Sequence, residues 1–253
     1  MQTAIETIGL TRTFGQFKAV DQLDLSVAAG TFLGFLGPNG AGKSTTIKML
    51  TGLIRISAGT ARILDHDIDT EQTAVKAQIG VVPEDLALFD RLTGAEYLRF
   101  VGRMYGLQKN TIRTRSAELL ELMTLQDQSK KLIVDYSHGM KKKLALAAAL
   151  IHDPRVLFLD EPFEGIDAIA SRMIKDLLES LTVRGVTVFL TSHILEIVEK
   201  LCSEVAVIHQ GRLVAHGKTE ELRKGERVAS LEEVFLDLVD AEDTPVKVLS
   251  WLS

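Results

Sequence analysis

Thr31-Phe32-Leu33-Gly34-Phe35-Leu36-Gly37-Pro38-Asn39-Gly40-Ala41-Gly42-Lys43-Ser44-Thr45-Thr46-Ile47-Lys48-Met49-Leu50 reads in three parts: an apolar run, a glycine-bearing loop and a helix. Residues 31–36 are almost continuously apolar, as a strand is when both of its faces are buried. Residues 37–44 satisfy the pattern G-x-x-x-x-G-K-[ST] in the strand–loop–helix setting that the pattern requires. Glycine lets backbone N–H groups turn inward around phosphate oxygens, and the start of the following helix adds positive potential. Lys43 can then bridge the outer phosphates of a nucleoside triphosphate, and the Ser44 hydroxyl can ligate Mg²⁺. The competing reading, a chance match in a glycine loop, is disfavoured by the flanking strand and helix.

Further along, Val156-Leu157-Phe158-Leu159-Asp160-Glu161 is a buried strand ending in two carboxylates. Asp160 is placed to hold Mg²⁺ directly or through water, and Glu161 to orient or deprotonate an attacking water. Acidic strand ends are common, so this pair gains meaning from the phosphate loop earlier in the chain. His193 follows the β-branched run at 186–192; a neutral imidazole there could donate to a terminal phosphate and steady Glu161 or the water. Alone it would read as a surface or helix-capping histidine. Tyr136-Ser137-His138-Gly139-Met140 precedes a strong helical pattern at 141–151, and Ser137 with the free N–H groups near Gly139 makes a second helix-start anion site. Simple capping is the bland alternative. A second such site without a lysine of its own fits an arrangement in which it faces the nucleotide of another copy across a two-fold interface.

The rest of the chain supports one α/β architecture. Short β-branched runs at 79–82, 156–159, 186–190 and 205–208 alternate with helical patterns, which predicts a largely parallel sheet. Residues 3–13 and 20–27 alternate apolar and polar side chains like half-exposed antiparallel strands, and Gln210-Gly211 marks a late hairpin. Residues 86–151 are helical by pattern: Thr93 and Glu96 form a capping box, Gly106 stops that helix, and a second helix covers about 111–125. Ser230 and Glu233 repeat the start signal before a short helix through Leu238. The expected division is an α/β core with an antiparallel β part over 1–85 and 152–225, a helical insert over 86–151, and a C-terminal helix and tail over 226–253. The core is long enough to need no staple. The one cysteine, Cys202, excludes an internal disulfide and a multi-cysteine zinc site and points to a reducing compartment. A net charge of -5 argues against a general nucleic-acid binder. No apolar run approaches the length of a membrane span, and residues 1–14 lack the apolar centre of a secretory signal.

Taken in order, these motifs resemble the nucleotide-binding subunit of ATP-binding-cassette (ABC) transporters over nearly the whole chain. Residues 37–45 match the Walker A loop, which the resemblance makes ATP-binding through Gly37, Pro38, Asn39, Gly40, Ala41, Gly42, Lys43, Ser44 and Thr45. Residues 156–161 match Walker B with its catalytic glutamate, 136–140 the family signature, Gly165-Ile166-Asp167 the D-loop, and His193 the switch histidine. Phe14 sits where the family places an aromatic that stacks on adenine. The resemblance implies a P-loop NTPase fold, ATP and Mg²⁺, and a homodimer or heterodimer in which Ser137, Gly139 and Asp167 reach the other subunit's ATP. It also implies an integral membrane partner docking on the helical insert, no nucleic-acid partner, and a place on the inner face of the cell membrane. Two positions depart from the common pattern: the signature has His138 and Met140, and Glu84 stands where glutamine is usual. Both look like the export-type subfamily whose ATPase and membrane domains are separate chains, as does the ending at 230–235. Glu84 would put a third carboxylate near the metal, with Ser44 and Asp160 as the other ligands, and relay nucleotide state to the insert. Leu86, Leu88, Phe89, Tyr97, Phe100, Val101 and Tyr105 are the candidate docking side chains, although they could equally form the insert's own core. Lys141-Lys142-Lys143 reads as a solvated helix face, and no role is assigned to the tail with Trp251. The alternatives are a soluble ABC ATPase working on ribosomes or nucleic acid, for which a second cassette or a long coiled-coil insert is missing, and a non-hydrolysing regulatory subunit, which Lys43, Asp160, Glu161 and His193 argue against. A switch GTPase would need an Asn-Lys-x-Asp guanine-reading motif, and none is present.

Overall fold

The computed structural model describes residues 2–128, 130–222 and 231–238. Its strands are β1 (Thr3–Phe14), β2 (Phe17–Ala28), β3 (Phe32–Leu36), β4 (Ala58–Ile63), β5 (His66–Asp67), β6 (Ile79–Val82), β7 (Val156–Asp160), β8 (Thr187–Thr191), β9 (Glu204–His209) and β10 (Arg212–Lys218). Its helices are α1 (Lys43–Leu50), α2 (Gln72–Gln78), α3 (Gly94–Met104), α4 (Lys109–Leu122), α5 (His138–Leu150), α6 (Ala168–Val183), α7 (Leu195–Leu201), α8 (Thr219–Leu222) and α9 (Leu231–Leu238). The α/β architecture with an N-terminal antiparallel part is the one expected from the motif order.

Two sheets form. The larger has the order β10-β9-β3-β8-β7-β6, with β3, β6, β7, β8 and β9 parallel and β10 added as an antiparallel edge through the Gln210-Gly211 turn. β3, β7 and β8 are buried along their whole length, which is why they read as unbroken apolar runs rather than alternating ones. The smaller sheet, β2-β1-β4-β5, is antiparallel. β1 and β2 show the expected alternation of burial, and their hairpin turns at Gly15 to pair Phe14 with Phe17 at its tip.

Because the central strands are parallel and adjacent, the loops after β3, β6, β7 and β8 all leave from one edge of the sheet. Ligands of open α/β sheets bind at that carboxyl edge. The helices α3, α4 and α5 lie between β6 and β7 in sequence. The capping box at α3 is present, with the Glu96 N–H donating to Thr93 Oγ1 and the Thr93 N–H donating to the Glu96 carboxylate. One apolar core runs from Leu98, Leu120, Ile133 and Leu144 in this helical region into Leu157, Leu159 and Val188 of the sheet, so the insert shares its core with the sheet. α5 begins three residues before the expected start, at His138. Ser230 and the tail with Trp251 lie outside the described residues. Among the described residues no helix is long and apolar enough to cross a membrane.

Candidate nucleotide site

The loop after β3 folds over the start of α1. Gly42 precedes that helix at φ 110°, and a Cβ there would collide with the Ala19 carbonyl, so only glycine fits the turn. α1 has no side-chain cap, so its first N–H groups are free to point into the loop. Lys43 is buried, with its ammonium folded back to donate to the carbonyls of Gly37 (2.7 Å) and Pro38 (3.3 Å). Carbonyl oxygens are weak partners for an ammonium compared with phosphate oxygens.

A cavity of about 480 Å³ opens above this loop, and its walls unite residues from distant parts of the chain. Phe14, Phe17 and Ala19 come from the β1–β2 hairpin; Asn39, Gly40, Gly42, Lys43, Ser44 and Thr45 from the glycine loop; Glu84 from beyond β6; and Asp160 and Glu161 from the end of β7. Phe14 is about half exposed, with the Arg12 guanidinium over its ring at 4.4 Å. Phe17 beside it is exposed too. The hairpin tip therefore offers two aromatic rings at the mouth of the phosphate loop.

The carboxylate end is tightly wired. Asp160 is 3% exposed and its Oδ1 accepts from the Thr191 hydroxyl at 2.5 Å. The same Oγ1 accepts the Glu161 N–H at 3.1 Å. Glu161 holds a left-handed φ of 48°, a strain of roughly 1–3 kcal/mol for a residue with a side chain that only surrounding contacts can maintain. Its carboxylate accepts from the His193 N–H (3.3 Å) and from Nδ1 (2.9 Å), which brings the two sequence-selected residues together. Ser44, Asp160 and Glu84 share the cavity as hard oxygen donors, a set that suits Mg²⁺. Among the described residues no three His, Cys, Asp or Glu side chains group closely enough to hold a metal by themselves, so a Mg²⁺ here would need the Ser44 hydroxyl and the oxygens of a phosphate beside the carboxylates.

Ser137, Gly139 and Asp167 do not line this cavity. Ser137 caps α5, accepting the Met140 N–H at 3.3 Å, and Asp167 caps α6, where the Ala170 N–H holds its carboxyl below the usual range. The two caps are neighbours. A Cβ on Gly139 would lie 3.7 Å from Ile166 Cγ2, and one on Gly165 would meet the His138 ring. Ile169, just past Asp167, is 84% exposed.

Lys142 departs from the solvated face expected of Lys141-Lys142-Lys143. It is 2% exposed, and its ammonium donates to the Glu161 carbonyl at 2.6 Å. The reason is geometric: it is on the buried side of α5 with Ala145 and Ala149, whereas Lys141 and Lys143 turn outward to Asp90 and Thr124. Burial pushes the Lys142 ammonium below its ordinary range, against the pull of Glu164, Glu161, Glu84 and Asp160. Besides Lys142, sequence reasoning passed over Thr191 and Phe17. Thr191 carried a signal in its position at the end of a β-branched run, where it becomes the strand partner of Asp160; Phe17 carried one in its pairing with Phe14 across a Gly turn.

With this geometry in view, similarity to known proteins is direct. The profile of the ABC transporter family matches residues 20–164. The chain belongs to the ABC transporter family. It is 42% identical over 220 residues to the daunorubicin/doxorubicin resistance ATP-binding protein DrrA of Streptomyces peucetius, covering 87% of this chain and 67% of that one. It is 38% identical over 228 residues to the bacitracin transport ATP-binding protein BcrA of Bacillus licheniformis, covering 90% and 74%. A solved ATP-binding subunit of an ABC transporter superposes with a TM-score of 0.88 at 29% identity, covering 93% of this chain and 99% of the other. This ABC chain is an ATP-binding, ATP-hydrolysing subunit.

Proposed function

We propose that this ABC subunit powers an exporter, with two such subunits closing over Mg²⁺-bound ATP beneath membrane-spanning partners. The observation that carries the reading is the single cavity in which the glycine loop, Asp160 and Glu161 meet, with His193 hydrogen-bonded to Glu161. Adenine stacks on Phe14, and the N–H groups of residues 37–45 surround the phosphates. Lys43 exchanges its loop carbonyls for the outer phosphate oxygens. Ser44 and Asp160 would hold Mg²⁺, whose charge, when bound, neutralises the β- and γ-phosphates. Glu161, held by the His193 backbone N–H, accepts the proton of the attacking water, and the His193 ring donates to the γ-phosphate. The exclusion of Ser137, Gly139 and Asp167 from their own chain's cavity supports their reaching a second subunit's ATP in a homodimer or heterodimer. The exposed Ile169 beside them suits burial in that interface.

The membrane partner docks in an apolar groove of about 240 Å³ beside the insert, walled by Pro83, Leu86, Leu88, Tyr97, Val101 and Tyr105. Phe89, Phe100 and Met104 lie exposed near it, and a short partner helix would find aromatic anchors there. Pro83 lines this groove while Glu84 lines the nucleotide cavity, so adjacent residues join the two, which supports Glu84 as the relay of nucleotide state. Export is favoured by the names of the drug-resistance and antibiotic-transport relatives, and in this reading the subunit works on the inner face of the cell membrane, held there by its partner. The test is Glu161→Gln in the full chain: it should bind ATP, lose on the order of 10²-fold or more in turnover, and accumulate as a nucleotide-bound dimer in light scattering. Near-normal turnover, or ATP-loaded protein that stays monomeric, overturns the reading. Glu84→Gln with unchanged Mg²⁺ dependence would remove Glu84 from it.

A further inference from the structure

Glu161 is held at three points. Its N–H goes to Thr191 and its carboxylate to His193, both from the sheet edge. Its carbonyl, however, is held by Lys142, which belongs to α5. α5 starts at Ser137 and His138, so one helix carries both the cap proposed to meet the second subunit's ATP and, one turn later, the clamp on its own chain's glutamate.

We propose that Lys142 is a positioning residue: through the Glu161 carbonyl it sets the left-handed peptide that aims the Glu161 carboxylate, so that seating the start of α5 on the partner's nucleotide is transmitted to hydrolysis in its own site. The inference rests on the catalytic role proposed for Glu161.

Three features make the contact more than packing. At 2.6 Å it is short for an ammonium–carbonyl bond, and its donor is 2% exposed in a position where a lysine is costly to bury without purpose. The residue it grips has φ 48°, a conformation that a side-chain-bearing residue keeps only while its neighbours enforce it. The link also crosses between elements with different partners: α5 packs on α3, α4 and β6, whereas Thr191 and His193 sit at the end of β8. A displacement of α5 by a fraction of a bond length therefore moves one anchor of Glu161 and leaves the others in place. Misplacement of a reacting group by about 1 Å costs on the order of 10²-fold in rate.

The experiment compares Lys142→Met, which keeps an apolar stem as far as Cε without the donor, with Lys142→Arg, which keeps a donor. Turnover and ATP affinity are measured on the full chain with Mg²⁺-ATP and a fluorescent ATP analogue. K142M is expected to lose about tenfold to a hundredfold in kcat with ATP affinity within about twofold of the parent, and K142R to recover most of the loss. In the Glu161→Gln background K142M should change neither ATP-driven dimerisation nor the residual rate, because residues that act as a unit are not additive. If K142M fails to fold, Lys142→Gln, whose nitrogen stops one bond short of the position of the lysine nitrogen, takes its place. A K142M or K142Q kcat within about twofold of the parent overturns the proposal, as does loss of ATP affinity or of dimerisation in step with kcat, which would make Lys142 structural. E161Q with normal turnover would instead remove the glutamate's own role, and that single variant separates the two failures.

Discussion

Replacing Thr191 with valine tests the wiring of the carboxylate end most directly. The two side chains have nearly the same shape, so the change removes the hydroxyl and little else. Thr191 is fully buried, and its Oγ1 both donates to Asp160 and accepts from the Glu161 N–H. Loss of a hydrogen bond to an ionised carboxylate costs about 1.5–3 kcal/mol, and the stranded Glu161 N–H adds about 1–3 kcal/mol. The extra buried methyl returns about 0.8 kcal/mol. The net is about 2–5 kcal/mol, and at this chain length each kcal/mol moves the melting point by about 2–4 °C, so Thr191→Val should melt about 4–20 °C below the parent. Thr191→Ser keeps the hydroxyl and loses one methyl, which costs about 1 kcal/mol and should move the melting point by about 2–4 °C. Calorimetry of parent, T191S and T191V, with ATPase rates on the same preparations, reads both effects. T191V should also fall at least about tenfold in kcat while T191S stays close to the parent. If T191V melts within a degree of T191S, the hydroxyl does not hold the two carboxylate residues, and the reasoning about the Asp160–Glu161 geometry fails.

Lys43→Ala should weaken ATP binding by about 10²-fold, the scale of a charge-assisted contact, as a fluorescent ATP analogue would register; unchanged affinity would remove Lys43 from the phosphate site. Gly80→Ala places a Cβ against the Ala149 carbonyl and 2.7 Å from Leu157 Cδ2, and because α5 must shift off β6 to admit it, stability should drop by about 1–3 kcal/mol in denaturant unfolding. His152 stacks on Tyr105 at 3.6 Å, donates from Nε2 to the Ile79 carbonyl, and has its buried Nδ1 unpartnered; burial lowers its pKa from the ordinary value of 6.5. Between that value and the lower folded one the unfolded chain binds the extra proton, so stability should fall as pH drops below about 6.5 and level off beneath the folded value. His152→Gln should flatten melting point against pH across that window, and a slope equal to the parent's would contradict the assignment.

The phosphate loop, Asp160-Glu161 and His193 were legible because each follows a strand buried on both faces, and such strands announce themselves as apolar runs ended by polar residues. β4 was not legible. Its sequence Ala-Gly-Thr-Ala-Arg-Ile has four exposed positions of six and no apolar run, and it becomes a strand because β1 supplies a ladder for it. α2 is seven residues with a single buried side chain, too short for periodicity to show. Burial in the insert was legible only as a list: Leu86, Leu88, Tyr97 and Val101 pack partly against the core, while Phe89, Phe100 and Tyr105 remain open, a division fixed by which way α3 faces α5.

Lys142 shows why the remaining part of the site escaped. Three consecutive lysines have no internal sign that the middle one is buried, since a helix distributes neighbours around its axis by about 100° each and only the position of α5 against β6 and β7 decides which faces inward. The same placement gives the site its logic. Residues read along the chain belong to separate motifs, yet the parallel order of β3, β8, β7 and β6 sets their ends side by side, and the helix that begins at Ser137 closes over that edge. Lys43, Asp160, Glu161 and His193 gather at one cavity, whereas Ser137 and Asp167 cap helices outside its lining. In the dimer proposed above, Ser137 and Asp167 would meet the nucleotide of a second subunit, and hydrolysis and subunit separation would then follow from the same contacts.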